Sequence, residues 1–206
     1  MPQDRAIAYV DGFNLYFGLK SKGWKRYYWL DMRRLAENLL KPGHELIEVK
    51  YFTAHIRGPE DKHRRQQIFL DALHTHCSSL RIIPGHYLVK KKQCPCCACV
   101  FDIPEEKKTD VNISTQMVAD AFLDRFDVAL LISGDSDLVP PIEVIRQYCP
   151  NKRVVVAFPP GRFSADLKRI AHASFWINPQ KLRLSQLPNP VIKPNGHKLY
   201  KPTEWT

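Results

Sequence analysis

Long hydrophobic runs are missing from this chain of 206 residues. The longest, 128–132 and 154–158, fall far short of the ~20 apolar residues that a membrane helix needs. A helical membrane span is therefore excluded. The start of the chain carries Asp4 and Arg5 and lacks the apolar stretch of a secretion signal, so the expected compartment is the cytoplasm. A disulfide framework is also lacking. Of six cysteines, Cys94, Cys96, Cys97 and Cys99 crowd into one short segment, while Cys77 and Cys149 stand alone. In a reducing compartment that pattern means free thiols or a metal site. No internal repeat is visible. Acidic residues are in short supply: 21 Asp and Glu face 31 Lys and Arg, for a net charge of +10. Such an excess suits a polyanionic partner, although it also serves solubility.

What is present is ordinary for a globular protein. Hydrophobic residues make up 44% and charged residues 25%, which argues against a disordered or fibrous chain. A chain of this size buries roughly 70% of its unfolded surface, enough for a core without disulfide staples. The length fits one domain, or one domain with an extension.

Strand-like and helix-like segments alternate. Residues 6–10 form an apolar run that ends in Asp11-Gly12, a strand followed by a turn. Helical spacing follows at 13–20 and at 31–40, where Asp31 is placed to cap and Pro42-Gly43 to terminate. Residues 46–56 are β-rich, 60–76 helical and 80–89 strand-like with a break at Pro84-Gly85. After a basic, cysteine-rich loop at 90–109 come a helix at 110–125 and an apolar strand at 128–132. A helix at 139–148 follows, with Pro140 and Pro141 suited to its first turn. A strand at 154–158, a helix at 164–171 and a strand at 174–177 complete the alternation. Central strands that are apolar on both faces indicate a buried parallel sheet, and the class is α/β with helices on both sides. Residues 1–178 form the domain, with the insertion near 90–109. Residues 179–206 form a basic, Pro-containing extension expected to lie on the surface or to be partly disordered. After Asp166 the sole acid is Glu204, against seven Lys or Arg.

Four aspartates stand at strand ends or helix starts. Asp11 follows the first strand. Asp135 and Asp137 lie in Ser133-Gly134-Asp135-Ser136-Asp137, directly after the most apolar strand, and Asp110 opens the helix leading into it. In open α/β sheets ligands bind beyond the carboxyl ends of the strands. If the two strands are neighbours, Asp11, Asp135 and Asp137 share one rim. Each has an ordinary structural use as well: Asp110 and Asp137 as helix caps, Asp11 as a turn residue before Gly12. Together they repel one another unless a cation or protons neutralise them. Hard oxygen ligands favour Mg²⁺ or Mn²⁺ over zinc.

Val10-Asp11-Gly12-Phe13-Asn14, then Glu106-Lys107-Lys108-Thr109-Asp110-Val111-Asn112, then Ser133-Gly134-Asp135-Ser136-Asp137-Leu138 resembles the NYN domain family of the PIN-like nuclease superfamily. The likeness covers residues 6–177. It implies a Rossmann-like three-layer α/β sandwich with a mainly parallel central sheet, and a metal-dependent ribonuclease site. Asp11, Asp110, Asp135 and Asp137 match the acidic cluster that holds Mg²⁺ or Mn²⁺ and carries catalysis. Asn14 and Ser133 match its supporting residues. The implied reaction is endoribonucleolytic hydrolysis of single-stranded RNA, in which the ion lowers the pKa of a bound water and offsets charge on the phosphate. One departure stands out. Many relatives have a further acid where this chain has Gln116. Asp120 does not replace it easily, because ten residues of helix advance about 15 Å. The cluster is thus expected to hold one metal firmly and a second weakly or not at all.

Cys94-Pro95-Cys96-Cys97-Ala98-Cys99 contains two overlapping C-x-x-C pairs. Separated pairs suit zinc; overlapping ones are hard to place on one tetrahedral ion. A zinc site using Cys94 and Cys97, with help from His74, His76 or Cys77, is weighed against plain reduced thiols. Residues 20–29 mix lysines with Trp24, Tyr27, Tyr28 and Trp29, a composition that suits single-stranded nucleic acid; Tyr28 and Trp29 are expected in the core instead. Lys107, Lys108, Arg64, Arg65, Lys91 and Lys92 are candidate RNA contacts if they share the rim, and solvated charges otherwise. Two rivals to the nuclease remain. One is an RNA-binding module with the same fold and a weak or dead site, favoured by Gln116. The other is a phosphatase of small phosphoesters, disfavoured because Gly12-Phe13 follows Asp11 where an Asp-x-Asp nucleophile motif would continue.

Overall fold

The side chains of the first strand alternate between two cores. Ala8 and Val10 pack with one apolar cluster, Ile7 and Tyr9 with the other. A strand buried on both faces needs a helical layer on each side, and the rest of the chain supplies them. The computed structural model describes residues 3–56 and 59–206, with the side chains of all but 86–90 and 101–107. The elements are β1 (Asp4–Asp11), α1 (Gly12–Ser21), α2 (Met32–Leu39), β2 (His44–Thr53), α3 (Glu60–His76), β3 (Leu80–Pro84), β4 (His86–Gln93), β5 (Val100–Lys107), α4 (Thr109–Phe122) and β6 (Val128–Ile132). These are followed by α5 (Val139–Tyr148), β7 (Arg153–Phe158), α6 (Ala165–Ile170), β8 (Ala173–Trp176), α7 (Pro179–Leu184), β9 (Val191–Ile192) and β10 (Lys198–Leu199).

Six strands form one sheet in the order β3-β2-β1-β6-β7-β8, and every pairing in it is parallel. Residues of α1, α2, α3 and α7 pack on one face. Residues of α4, α5 and α6 pack on the other. This is the three-layer α/β sandwich expected from the sequence. The strand order reverses between β1 and β6, the position at which such sheets open a ligand crevice. No helix among the described residues is long and apolar enough to cross a membrane.

Two segments differ from expectation. The cysteine-rich stretch is not a plain loop: β4 and β5 pair antiparallel from His86↔Lys107 to Gln93↔Val100. The cysteines form the turn, closed by Cys94 N donating to Cys99 O at 2.8 Å and Ala98 N to Cys94 O at 2.9 Å. This ribbon pairs as a separate two-stranded sheet, outside the six-stranded one. The segment 179–206 docks onto the α1–α3 face, where Leu182, Leu187, Val191 and Leu199 are buried. Each apolar residue docks singly between prolines, which leaves no period to read. Tyr28 and Trp29 are buried as expected.

Beneath the sheet lies a charge. Lys50 on β2 has 0% exposure and pairs with Asp120 of α4, itself 2% exposed. Tyr9 donates its hydroxyl to Asp120 at 2.5 Å, and Gln116 accepts from Lys50 Nζ at 2.9 Å and from Arg81 at 2.8 Å. Arg125 bridges Asp120 and Glu48, each at 3.1 Å. Burial pushes the Lys50 ammonium below the ordinary lysine range, and the bond to Asp120 opposes that shift. Burial and the same carboxylate push the Tyr9 phenol well above its ordinary range, so Tyr9 remains a donor. The position that carries an acid in relatives is thus an amide bound by two cations. Removing one member of a buried pair strands the other charge, at a cost of roughly 3–5 kcal/mol. Asp120→Ala is therefore expected to lower the urea-unfolding free energy by that amount, whereas exposed-pair variants such as Asp166→Ala change it by no more than about 1 kcal/mol.

Candidate active site

β1 and β6 end side by side: Val10 pairs with Ile132. The residues that follow, Asp11 and Ser133, are both buried. Ser133 donates its hydroxyl to Asp11 Oδ2 at 2.8 Å, and Asp11 Oδ1 accepts from Asn14 N at 3.0 Å, capping α1. Asn14 reaches back across the same gap, where its Oδ1 accepts from Gly134 N at 3.0 Å. Ser133 Oγ also accepts from Asp135 N at 3.1 Å, and Asp135 Oδ1 accepts from Asp137 N at 3.0 Å. One short network therefore fixes the two strand ends and aims the acidic loop.

Asp110 arrives from the other side. Lys108 takes a left-handed backbone, φ 77°, and turns the chain from β5 into α4, leaving Asp110 in the first helical turn. A lysine in that region is uncommon and marks a constrained turn. The Asp110 carboxyl titrates above the ordinary carboxylate range. Burial is the larger cause, and the negative charges of Asp135 and Asp137 add to it. These three acids are thus close enough to repel. Among the described residues no group of three or more His, Cys, Asp or Glu side chains is gathered tightly enough to hold a metal ion as it stands.

The structure brings Asp11, Asn14, Ser133, Asp135 and Asp137 into one hydrogen-bonded set, and Asp110 into electrostatic reach of it. Arg64, Lys91 and Lys92 are exposed, on α3 and β4, and take no part in those bonds. Arg65 is committed to Asp61 and Glu204, each at 2.7 Å. Lys108 is exposed, and the Lys107 side chain lies outside the described residues. At the hairpin turn, backbone donors of Cys96 and Cys97 hold the Cys94 thiol below its ordinary range, yet the absence of a ligand cluster covers Cys94 and Cys97 too. Cys77 is no candidate ligand: its Sγ contacts Asp31 Oδ1 at 3.2 Å, and burial pushes the thiol up to about 12.

Sequence reasoning missed Arg162. The loop after β7 lies so close to the acidic loop that a Cβ on Gly134 would meet the Arg162 carbonyl carbon at 2.8 Å. The arginine stem passes Gly18 of α1, and its Nε is buried with no hydrogen-bond partner. A lone arginine in Pro159-Pro160-Gly161-Arg162 has no pattern that announces this. Phe163 and Trp176, both exposed, stack beside it with centroids 5.5 Å apart and planes 20° apart.

The model of the NYN domain matches residues 5–178. The chain belongs to the NYN domain family. It is 26% identical over 242 aligned positions to 6-hydroxy-3-succinoylpyridine 3-monooxygenase HspA of Pseudomonas putida, covering 98% of this chain and 75% of that one. It is 22% identical over 198 positions to low amplitude and bright protein LabA of Synechococcus elongatus, covering 91% and 92%. The crystal structure of VPA0982, a protein of unknown function from Vibrio parahaemolyticus, matches with a TM-score of 0.57 at 19% identity, over 86% of this chain and 95% of that one. That likeness shows a shared fold.

Two outcomes follow for the NYN rim. A raised folded-state pKa means that the folded Asp110 carboxyl holds its proton more tightly than the unfolded one, so stability is lost as pH rises through that range. In EDTA, Asp110→Asn is expected to raise Tm at pH 7 and to leave it unchanged near pH 3, read by differential scanning calorimetry. Asp11→Ala removes the cap of α1 at a cost of about 0.5–2 kcal/mol, while Asp11→Asn retains it; urea titration of the pair separates capping from charge.

Proposed function

We propose that this NYN chain is a divalent-metal-dependent ribonuclease that hydrolyses phosphodiester bonds of single-stranded RNA at the rim carrying Asp11, Asp110, Asp135 and Asp137. The observation that carries the reading is the hydrogen-bonded set that gathers Asp11, Ser133, Asp135 and Asp137 where the strand order reverses, with Asp110 in electrostatic reach of Asp135 and Asp137. Bound Mg²⁺ or Mn²⁺ offsets repulsion among these acids, and four carboxylates are the hard oxygen donors that either ion takes. The chemistry of the donor set fits the ion, although the described side chains are not gathered tightly enough to enclose it as they stand. When bound, the ion supplies a water of lowered pKa and charge to offset the phosphate.

The protein's own residues do the remaining work. Ser133 and the Asn14 amide hold Asp11 in one orientation. Asn14 fixes the distance between α1 and the acidic loop through Gly134. Arg162, whose backbone abuts Gly134 at the acidic loop, adds a positive charge for a phosphate of the bound strand. Lys108 adds a second positive charge next to Asp110. The stacked Phe163–Trp176 pair takes a base, and the +10 charge favours a long polyanion over a small phosphoester. The HspA relative is named for a different reaction, so membership of the family does not by itself choose the chemistry; the acidic rim is what supports phosphodiester hydrolysis.

A second reading has its own observation. Gln116 is bound to Lys50 and Arg81, so that position contributes no carboxylate, and an RNA-binding module with a weak site is the result. Labelled single-stranded RNA and DNA incubated with Mn²⁺, Mg²⁺ or EDTA decides between the two. The nuclease reading expects metal-dependent RNA cleavage that Asp135→Asn abolishes. Ser133→Ala, which unties Asp11, lowers the rate roughly 10- to 100-fold. RNA binding without cleavage, unchanged by Asp135→Asn, gives the second reading. Arg162→Ala weakens RNA binding in either case, and the slope of log Kd against log salt falls by roughly 0.7 for each phosphate of the single strand that is no longer neutralised.

A further inference from the structure

Directly beside the acidic rim, between α1, α3 and the turn at Thr203–Trp205, lies a cleft with about 230 Å³ of free space. That is below the roughly 300–1,000 Å³ of drug-sized ligand sites, so it suits one ring system and not an extended cofactor. Gly12, the residue after Asp11, lines it. A Cβ there would fall 2.6 Å from Phe52 O and 2.7 Å from the Tyr51 ring. The cleft therefore begins one residue from the carboxylates.

Its character is aromatic inside and basic outside. Tyr16 and Tyr28 line it with centroids 5.0 Å apart, and Trp205 sits 5.6 Å from Tyr28. Tyr16 is 37% exposed, an uncommon amount for a ring in a concave apolar site. Burial raises both phenols, Tyr28 to about 12, so each is a neutral hydroxyl with a proton to donate near pH 7. Exposed Lys20, Lys25 and Lys62 border the cleft. The one acid there, Glu204, is paired with Arg65. The net field is positive, and the walls are rings with hydroxyl edges. Stacking faces recognise a planar ring, hydroxyls recognise its polar edge, and uncompensated lysines recognise an attached anion.

We infer that this cleft binds a nucleobase carrying a phosphate, with the ring on the exposed face of Tyr16, beside Tyr28 and Trp205, and the phosphate on Lys20, Lys25 or Lys62. The inference rests on the ribonuclease reading only for its source, an RNA strand whose neighbouring phosphate then lies toward the rim; a free nucleotide has the same chemistry. Calorimetric titration of the full chain in EDTA, with AMP, UMP and ribose 5-phosphate and with a short single-stranded RNA, tests it. The expected result is binding of the nucleotides and weak or no binding of ribose 5-phosphate. Tyr16→Ala weakens nucleotide binding roughly 5- to 150-fold, the equivalent of one base–aromatic stack, Tyr16→Phe retains most of it, and Lys62→Glu weakens it further. Loss of RNA and nucleotide binding together in Tyr16→Ala identifies the strand as the source. Loss of nucleotide binding alone identifies a free nucleotide. RNA cleaved normally, with binding of every probe indifferent to Tyr16→Ala and Lys62→Glu, overturns the cleft and leaves the nuclease standing. Nucleotide binding lost in these variants of a chain that never cuts RNA overturns the nuclease and leaves the cleft standing.

Discussion

The arrangement depends on one hydrogen bond across the point where the sheet reverses, from the Ser133 hydroxyl to Asp11 Oδ2. Parallel pairing alone brings the ends of β1 and β6 level, but a strand end is free to splay. The hydroxyl ties the two ends at buried positions, where an unmade bond would leave a desolvated carboxylate and is therefore costly. Asn14 adds the third point through Gly134. Three contacts among a helix start, a strand end and a loop remove the freedom that would otherwise let the acids move apart to relieve their repulsion. Preorganised like charges of this kind bind a counter-charge without a reorganisation cost when it arrives.

A second constraint lies on the opposite face of the sheet. Lys50, Asp120 and Tyr9 form a dry polar cluster, extended by Gln116, Arg81, Glu48 and Arg125 toward solvent. It fixes α4 against β1 and β2, and α4 is the helix that carries Asp110 at its first turn. The polar cluster and the acidic rim are thus two ends of one lever. The same tightness of space is seen where Gly134 meets the Arg162 loop and where Gly12 meets Tyr51, since both glycines occupy positions at which a methyl group has no room.

Much of this is legible in the sequence wherever a pattern is local. The stripe of α4, the cap at Asp31, and the apolar runs of β6 and β7 mark elements to within a few residues. Asp11, Asp135 and Asp137 are legible as a group because each follows a strand of a parallel sheet, and strand ends share a rim. Other features depend on partners far along the chain. Lys50 inside an apolar strand signals a buried counter-charge, but only the fold names Asp120, 70 residues later. Arg162 has no signal at all until its loop is laid against Gly134. The β4–β5 ribbon stands outside the six-stranded sheet, and residues 179–206 dock one side chain at a time, so neither offers the periodicity on which a reading of sequence relies.

The place of β1 in the sheet also bears on how the protein is made. β1 precedes the other strands of the sheet in the sequence and is one of the two central strands, flanked by β2 and β6. One of its edges is covered early, by residues 44–52. The other waits for its partner at 128–132. At about 5–20 residues per second, the 122 residues between Val10 and Ile132 take roughly 6–24 seconds to synthesise. For that interval β1 has an open edge that any extended segment can join, until β6 arrives to close the sheet.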